Sequence, residues 1–282
     1  MAGSLFICQL LYKLLMSIST MADEANVFFD HDRYIRFKLV CFVGYVDGAI
    51  FFKKESLCNF RCPKRVSARF QIPRLRRILK IMCTNFNHVD LQFDTDERVI
   101  HVRASEFRKS DTERILMEPR DVMRAKVPLI EEHTNFLKMD ESEFEYDLII
   151  GIPSVHFVRM LADAGVHDFV KIYVKQRDVL FRVKNKAFVL HNEIGRFVRV
   201  GPVFDKTVVA EFALYRITTF LIASELTNIV WLCWSSDAPP VLIFPLGPFG
   251  SFHIYSRLFH EEKWKRAPAH QLENKQERLA PV

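Results

Sequence analysis

The sequence predicts an α+β fold of repeated units, four helices each followed by antiparallel strands, and three observations carry that prediction. A segment reading helix, short polar break and hairpin recurs at 72–102, 152–183 and 212–246, with a rougher copy at 4–40. Hydrophobic residues make up 49% and charged residues 26% of the 282-residue chain, close to the globular average, and the length suffices for one large core or two ordinary ones. The 26 phenylalanines against only 9 glycines exclude collagen-like and low-complexity classes and leave little room for glycine-rich phosphate loops.

The first copy opens on an apolar stretch, Leu5 to Met16, which reads as helix from Ser4 onward with a narrow polar seam of Gln9, Lys13, Ser17 and Thr20. That stretch would measure roughly 18 Å as a helix against about 30 Å of bilayer hydrocarbon, so it is too short to span. Lys13 also stands where a signal peptide would be uninterrupted, and the expectation is an intracellular soluble protein. Strand-like runs follow at Ala49 to Lys53 and Val66 to Ile72. The second helix opens on Ile72-Pro73, a proline position that costs no hydrogen bond in a first turn. Leu75, Ile78, Leu79 and Met82 make its apolar stripe, with Arg74, Arg76, Arg77 and Lys80 across from it.

The third helix sets Phe157, Met160, Leu161 and Ala164 against His156, Arg159 and Asp163. Further strands are expected at Phe188 to His191 and Phe197 to Val203. In the fourth helix Ala213, Ile217, Phe220 and Ser224 should pack inward, while Tyr215, Thr219 and Ile222, with Arg216 at the flank, face outward. The copies are too unevenly spaced for a solenoid, so the repeat implies pseudo-symmetry within one body. Each helix covers a sheet with one side and shows the other to a ligand or to water.

Charge is polarised along the chain. The net charge is +6, yet residues 53 to 80 hold ten Lys and Arg against Glu55 alone, and residues 90 to 147 hold sixteen Asp and Glu against nine Lys and Arg. A localised basic segment on a balanced body is the footprint of a polyanion binder, or else a solvated face.

Catalytic chemistry is hard to find. Asp94, Asp96 and Glu97 form an acidic cluster that could hold Mg²⁺, but they occupy the turn of a hairpin, where Asp is common for turn reasons. His31 between Asp30 and Asp32 reads as a turn as well. Cys58 and Cys62 with His88 or His101 make an incomplete zinc set, and the six cysteines are expected as reduced, mostly buried thiols. No G-x-S-x-G, P-loop or H-E-x-x-H pattern occurs. A nuclease-like enzyme with a basic groove therefore lacks a catalytic constellation, and the expectation is a non-enzyme with no cofactor and no metal.

The ordered set of segments resembles the sliding clamps of the proliferating cell nuclear antigen type. The resemblance is carried by FEYDLIIGIPSVHFVRMLADAG from Phe144, by AEFALYRITTFLIASELTNIVWLCWSSDAPPVLIFPLGPFGSFHIYSRL from Ala210, and by RVSARFQIPRLRRILKI from Arg65. AIFFKKESLCNF (Ala49 to Phe60) and HVRASEFRKSDTERILMEPRD (His101 to Asp121) are similar to the Rad-nine-type subunit of the DNA-damage checkpoint clamp more than to the replicative clamp. That subunit usually carries a long regulatory tail, which is shorter here. The family begins with a strand, whereas this sequence reaches helix-like text by Ser4.

The resemblance implies a DNA-clamp fold of two similar domains, each with two helices on antiparallel sheets, closing with two further subunits into a pseudo-sixfold ring around duplex DNA. It places an N-terminal domain at 1–130, a connector at 131–143, a C-terminal domain at 144–258 and a tail at 259–282. WKRAPAH in that tail reads as a solvated extension in preference to a nuclear address. Lys13, Arg74, Arg77, Lys80, Arg159 and Arg216 are implied as DNA-facing, with Ala162, Tyr215 and Ile222 at positions usually basic in the replicative branch. Phe136, Leu137 and Met139 of the connector, with Pro239, Pro240 and Tyr255, are implied to receive partner peptides. Implied partners are two clamp-fold subunits in a heterotrimer, double-stranded DNA without sequence preference, a clamp loader, and repair and signalling proteins, all in the nucleus. The alternative is a homotrimeric replicative or viral processivity factor.

Overall fold

The computed structural model describes residues 2–29, 34–39, 46–56, 58–61, 66–105, 122–130, 145–162, 169–175, 178–191, 197–201, 207–213, 217–236 and 238–256. The first half runs β1 (Ala2–Ile7), α1 (Cys8–Ile18), β2 (Glu24–Phe29), β3 (Tyr34–Leu39), β4 (Val46–Lys53), β5 (Cys58–Arg61), β6 (Val66–Gln71), α2 (Ile72–Asn85), β7 (His88–Asp94), β8 (Val99–Ser105) and β9 (Val122–Ile130). The second half repeats the series as β10 (Leu148–Pro153), α3 (Ser154–Ala162), β11 (Phe169–Val174), β12 (Asp178–Val183), β13 (Lys186–His191), β14 (Val198–Val200), β15 (Val208–Ala213), α4 (Thr218–Ser224), β16 (Ile229–Trp234), β17 (Val241–Pro245) and β18 (Gly250–Ser256). The expected α+β class is what the chain adopts. The connector expected at 131–143 and the tail lie outside the described residues.

Strand pairing makes the repeat explicit. One fourteen-stranded antiparallel sheet has the order β14-β10-β16-β17-β18-β4-β3-β2-β6-β9-β8-β7-β1-β5, and a four-stranded sheet has the order β13-β12-β11-β15. The first half therefore reads 4-3-2-6-9-8-7-1-5, and the second reads 13-12-11-15 followed by 18-17-16-10-14, the same order with one break. Ser256 Oγ bridges that break by donating to the Glu211 carbonyl at 2.7 Å. The halves are joined where β18 pairs with β4, from Gly250 opposite Phe52 to Ser256 opposite Val46.

Alternation decides which sheet face is core. In β7, Val89, Leu91 and Phe93 are buried while the residues between them are not. The core is aromatic: Phe93 meets Phe29 and Phe70 edge-on at 4.8 and 6.4 Å, Phe37 meets Phe52 and Phe70, and Phe244 meets Phe157 and Phe252. A second, smaller cluster forms on the opposite face across the junction, where Ala49, Cys233, Val241 and Tyr255 pack with Phe51, Ile149, Trp231 and Ile243.

Four expectations change. A strand does precede the first helix: β1 pairs with β7 along its whole length, and the helix begins at Cys8. An apolar run read by helical period alone hides a strand that lies between β7 and β5. The fourth helix starts at Thr218, later than its wheel suggested, because β15 continues to Ala213. Thr219, expected to face outward, is fully buried against α1. Cys8 and Cys83 are not free thiols: α1 and α2 set their Cα atoms 5.5 Å apart and the two form a disulfide. Cys233 is a free, buried thiol, pushed by desolvation up to about 12.

Gly250 stands at the junction with φ 143°, and a β-carbon there would run into the backbone carbonyl of Phe51. Because backbone cannot yield as a side chain can, Gly250→Ala is expected to cost about 2–4 kcal/mol in equilibrium denaturation. An unchanged midpoint would show that the junction is not as tight as its geometry.

Candidate nucleic-acid interface

The four helices lie side by side in one layer on the core side of the sheets. α1 packs against α2 on one flank and α4 on the other, and α4 packs against α3, giving the order α2, α1, α4, α3. Leu75, Leu79 and Met82 of α2, Leu11, Leu14 and Ile18 of α1, Phe220 and Ala223 of α4, and Phe157, Met160 and Leu161 of α3 are buried beneath the layer. The opposite sides are open. On α2 they carry Arg74, Arg76, Arg77 and Lys80, with Ile81 beside them; on α1, Gln9 and Lys13; on α3, Val155, Arg159 and Ala162.

Of the DNA-facing set implied by the sequence, Lys13, Arg74, Arg77, Lys80 and Arg159 thus share one exposed surface, and Arg216 lies outside the described residues. Cationic density is highest on α2 and falls away across the layer; α4 exposes Thr218 and part of Ile222, with no charged residue among those described. Arg69, in the same basic segment, is 6% exposed and ion-paired with Glu24, so it belongs to the sheet and not to the layer.

Polar contacts hold the helices in place. Ser17 Oγ donates to the Thr219 carbonyl at 2.9 Å, and the hydroxyls of Thr20 and Thr219 are bonded to each other, tying α1 to α4. Arg76 Nη1 donates to Ser19 Oγ at 2.6 Å and Gln9 Nε2 to the Cys83 carbonyl at 3.0 Å, tying α1 to α2 alongside the disulfide. The polar seam expected to run outward along α1 divides: Gln9 and Lys13 face out, whereas Ser17 and Thr20 meet α4.

The proposed partner-binding residues fall on the other side of the molecule. Pro239, Pro240 and Tyr255 come together where β17 begins and β18 ends, with the Ser256 N–H donating to the Pro240 carbonyl at 2.9 Å. All three are buried, Tyr255 being 3% exposed. Phe136, Leu137 and Met139 lie outside the described residues. Beside Tyr255 is a feature the sequence reading missed, although Ser-x-His-x-Tyr in a strand puts the three side chains on one face. His253 Nε2 bonds Ser251 Oγ at 2.7 Å, its Nδ1 bonds the Tyr255 hydroxyl at 3.0 Å, and its ring lies 4.7 Å from that of Phe51.

The acidic cluster behaves as a turn. Asp94 Oδ1 accepts the backbone N–H groups of Asp96 and Glu97, each at 3.0 Å, and this bonding, that of Glu97 first, holds its carboxyl below the usual range. Asp94, Glu97 and His101 come within 4.8 Å of one another, but Glu97 already faces His101 Nε2 and Lys126 Nζ at 3.5 Å. No helix among the described residues is long and apolar enough to cross a membrane.

The architecture is shared with a protein of known structure. The chain superposes on the crystal structure of Proliferating Cellular Nuclear Antigen from Entamoeba histolytica with a TM-score of 0.72, covering 90% of this chain and 97% of that one at 18% identity. At that identity the likeness establishes the fold. No protein-family model matches the sequence.

Burial lowers His253 to about 4, so the folded state holds the ring neutral between its two hydroxyl partners. The unfolded chain takes up a proton near pH 6.5, so this stabilisation is complete above that pH and is lost as pH falls toward 4. Denaturation midpoints across this window should decline, by up to about 2–3 kcal/mol from this group, and His253→Phe should flatten the decline. An equal slope in the variant would assign the loss to other groups.

Proposed function

We propose that this protein is a non-enzymatic DNA sliding-clamp subunit, whose helix layer lines a channel around duplex DNA. The observation that carries this reading is the convergence of Lys13, Arg74, Arg77, Lys80 and Arg159 on one helical surface in a body with the clamp fold. Such a surface offers charge without docking a side chain on any one base, so association is indifferent to sequence and rests on counterion release. The resemblance of 49–60 and 101–121 supports the checkpoint branch: a heterotrimer with two other clamp-fold chains, placed by a clamp loader in the nucleus and serving repair and signalling proteins. Their clamp-binding peptides would dock beside Pro239, Pro240 and Tyr255 and the connector that holds Phe136, Leu137 and Met139, with Arg216 joining the DNA-facing set.

Subunits would join through β9 and β13. β13 is a sheet edge, and β9 has one side unpaired among the described residues from Val122 to Pro128. In the repeat these strands are the counterparts of β18 and β4, which already pair within the chain. Carrying that register over sets Met123 opposite Phe188 of the neighbouring subunit, apolar against apolar. This self-complementarity favours a second reading, the homotrimeric processivity factor.

Light scattering separates the two: the checkpoint reading expects a monomer at micromolar concentration, and a stable particle of about three chain masses would replace it with the homotrimer. Arg77→Glu with Lys80→Glu is expected to weaken DNA association at least tenfold and to reduce its salt slope, leaving assembly intact. DNA affinity that ignores salt, or that survives both reversals, would remove the channel from consideration.

A further inference from the structure

The start of α1 and the last turn of α2 meet at a corner that the fold builds twice. β1 pairs with β7 from Ala2 opposite Phe93 to Ile7 opposite His88, and the Cys8 N–H donates to the Asn87 carbonyl at 2.9 Å. The second half makes the same corner from β10 and β16, where the Ser154 N–H donates to the Asn228 carbonyl at 3.0 Å. There Ser154 and Ser224 stand at the positions of Cys8 and Cys83, and the corner forms without a cross-link. The Cys8–Cys83 disulfide therefore joins two residues that backbone pairing already brings together, with Cα atoms 5.5 Å apart. A folded chain can open that bond and close it again without rebuilding the corner.

The two cysteines are unequal. Cys8 is fully buried, whereas Cys83 is partly exposed on the helix layer. Arg76, Lys80 and Cys83 follow one another at i, i+4 and i+7 along the side of α2 that meets α1. Across from them Gln9 Nε2 donates to the Cys83 carbonyl at 3.0 Å, and Lys13 stands one turn further along α1. Solvent thus reaches the pair from the Cys83 side, through cationic surroundings. Partial exposure among positive charges is the setting of reactive cysteines. Cys233, buried and pushed up to about 12, is the inert kind.

We propose that this pair is a reversible thiolation site for an acidic low-molecular-weight monothiol, with Cys83 as the modified residue and Cys8 as its resolving thiol. The monothiol's thiolate attacks Cys83 Sγ from the exposed side. The Cys8–Cys83 bond breaks, a new S–S bond forms on Cys83, and Cys8 leaves as a thiolate that takes up a proton. Its place at the first residue of α1 favours that departure, because the positive end of the helix dipole lies there. Return attack by Cys8 on Cys83 Sγ expels the monothiol and restores the cross-link. A second monothiol instead leaves with the first as their disulfide, and the protein gains, as two thiols, the two electrons that the monothiols lose. Carboxylates on the monothiol answer Lys80 and Lys13, which favours an acidic reagent over a neutral one. Once attached, they offset part of the positive charge on α2. The site needs neither ring assembly nor DNA.

The test follows the full chain by mass spectrometry in glutathione, an acidic monothiol, at about pH 7.5. Millimolar reduced glutathione is expected to open Cys8–Cys83 while circular dichroism keeps its folded signal, and oxidised glutathione should restore the bond. Cys8→Ser removes the resolving thiol and installs the residue that the second half holds at that position. With oxidised glutathione this variant should collect an adduct on Cys83 about tenfold faster than on Cys233. Adding Lys80→Gln should slow that reaction about threefold and leave the rate with neutral hydroxyethyl disulfide unchanged. A pair that stays closed in the folded wild-type chain, an adduct that forms on Cys83 no faster than on Cys233, or two reagents that respond alike to Lys80→Gln would each overturn the assignment.

Discussion

The pairing of β18 with β4 is the constraint on which the rest depends. Each half ends in edges with unpaired N–H and C=O groups, and joining two of them turns two half-sheets into one of fourteen strands. Sheet continuity then fixes the helices, because α1 and α4 sit beneath the seam and meet through Ser17, Thr20 and Thr219. The same pairing builds the cluster on the far face, since Ala49 and Phe51 come from one half and Val241 and Tyr255 from the other. Without it neither the helix layer nor the Tyr255 region would exist as a single surface.

Aromatic packing explains how so many strands share a thin core. Phenylalanines from different elements meet edge to face, and each buries a large apolar surface. This is the structural meaning of a composition rich in Phe and poor in Gly. Glycine survives where a backbone must approach another, as at Gly250 against Phe51 and Gly201 against Asp147.

Periodicity made the second and third helices legible, because Leu75, Leu79 and Met82, and likewise Phe157, Met160 and Leu161, form stripes that no strand would show. Local pattern was silent wherever two elements meet across the fold. Thr219 looks exposed on its own helix and is buried only because α1 lies against it. β1 carries a helix-like pattern, since an apolar strand and an apolar helix look alike over six residues. The cluster of cations on α2 was visible in the chain; that Arg69 leaves that set for Glu24 was not, because the pairing spans β2 and β6.

The Cys8–Cys83 disulfide divides two halves that are otherwise built alike. By the repeat, the positions of Cys8 and Cys83 correspond to Ser154 and Ser224, whose hydroxyls bond the Thr227 and Phe220 carbonyls and form no cross-link. Closing a loop with a sequence separation of 75 removes on the order of 4 kcal/mol of chain entropy from the unfolded first half, while the second half gets no such help. A thiol reductant would therefore loosen one half selectively and uncouple the melting of the two, so pseudo-symmetry of shape coexists with asymmetry of resilience.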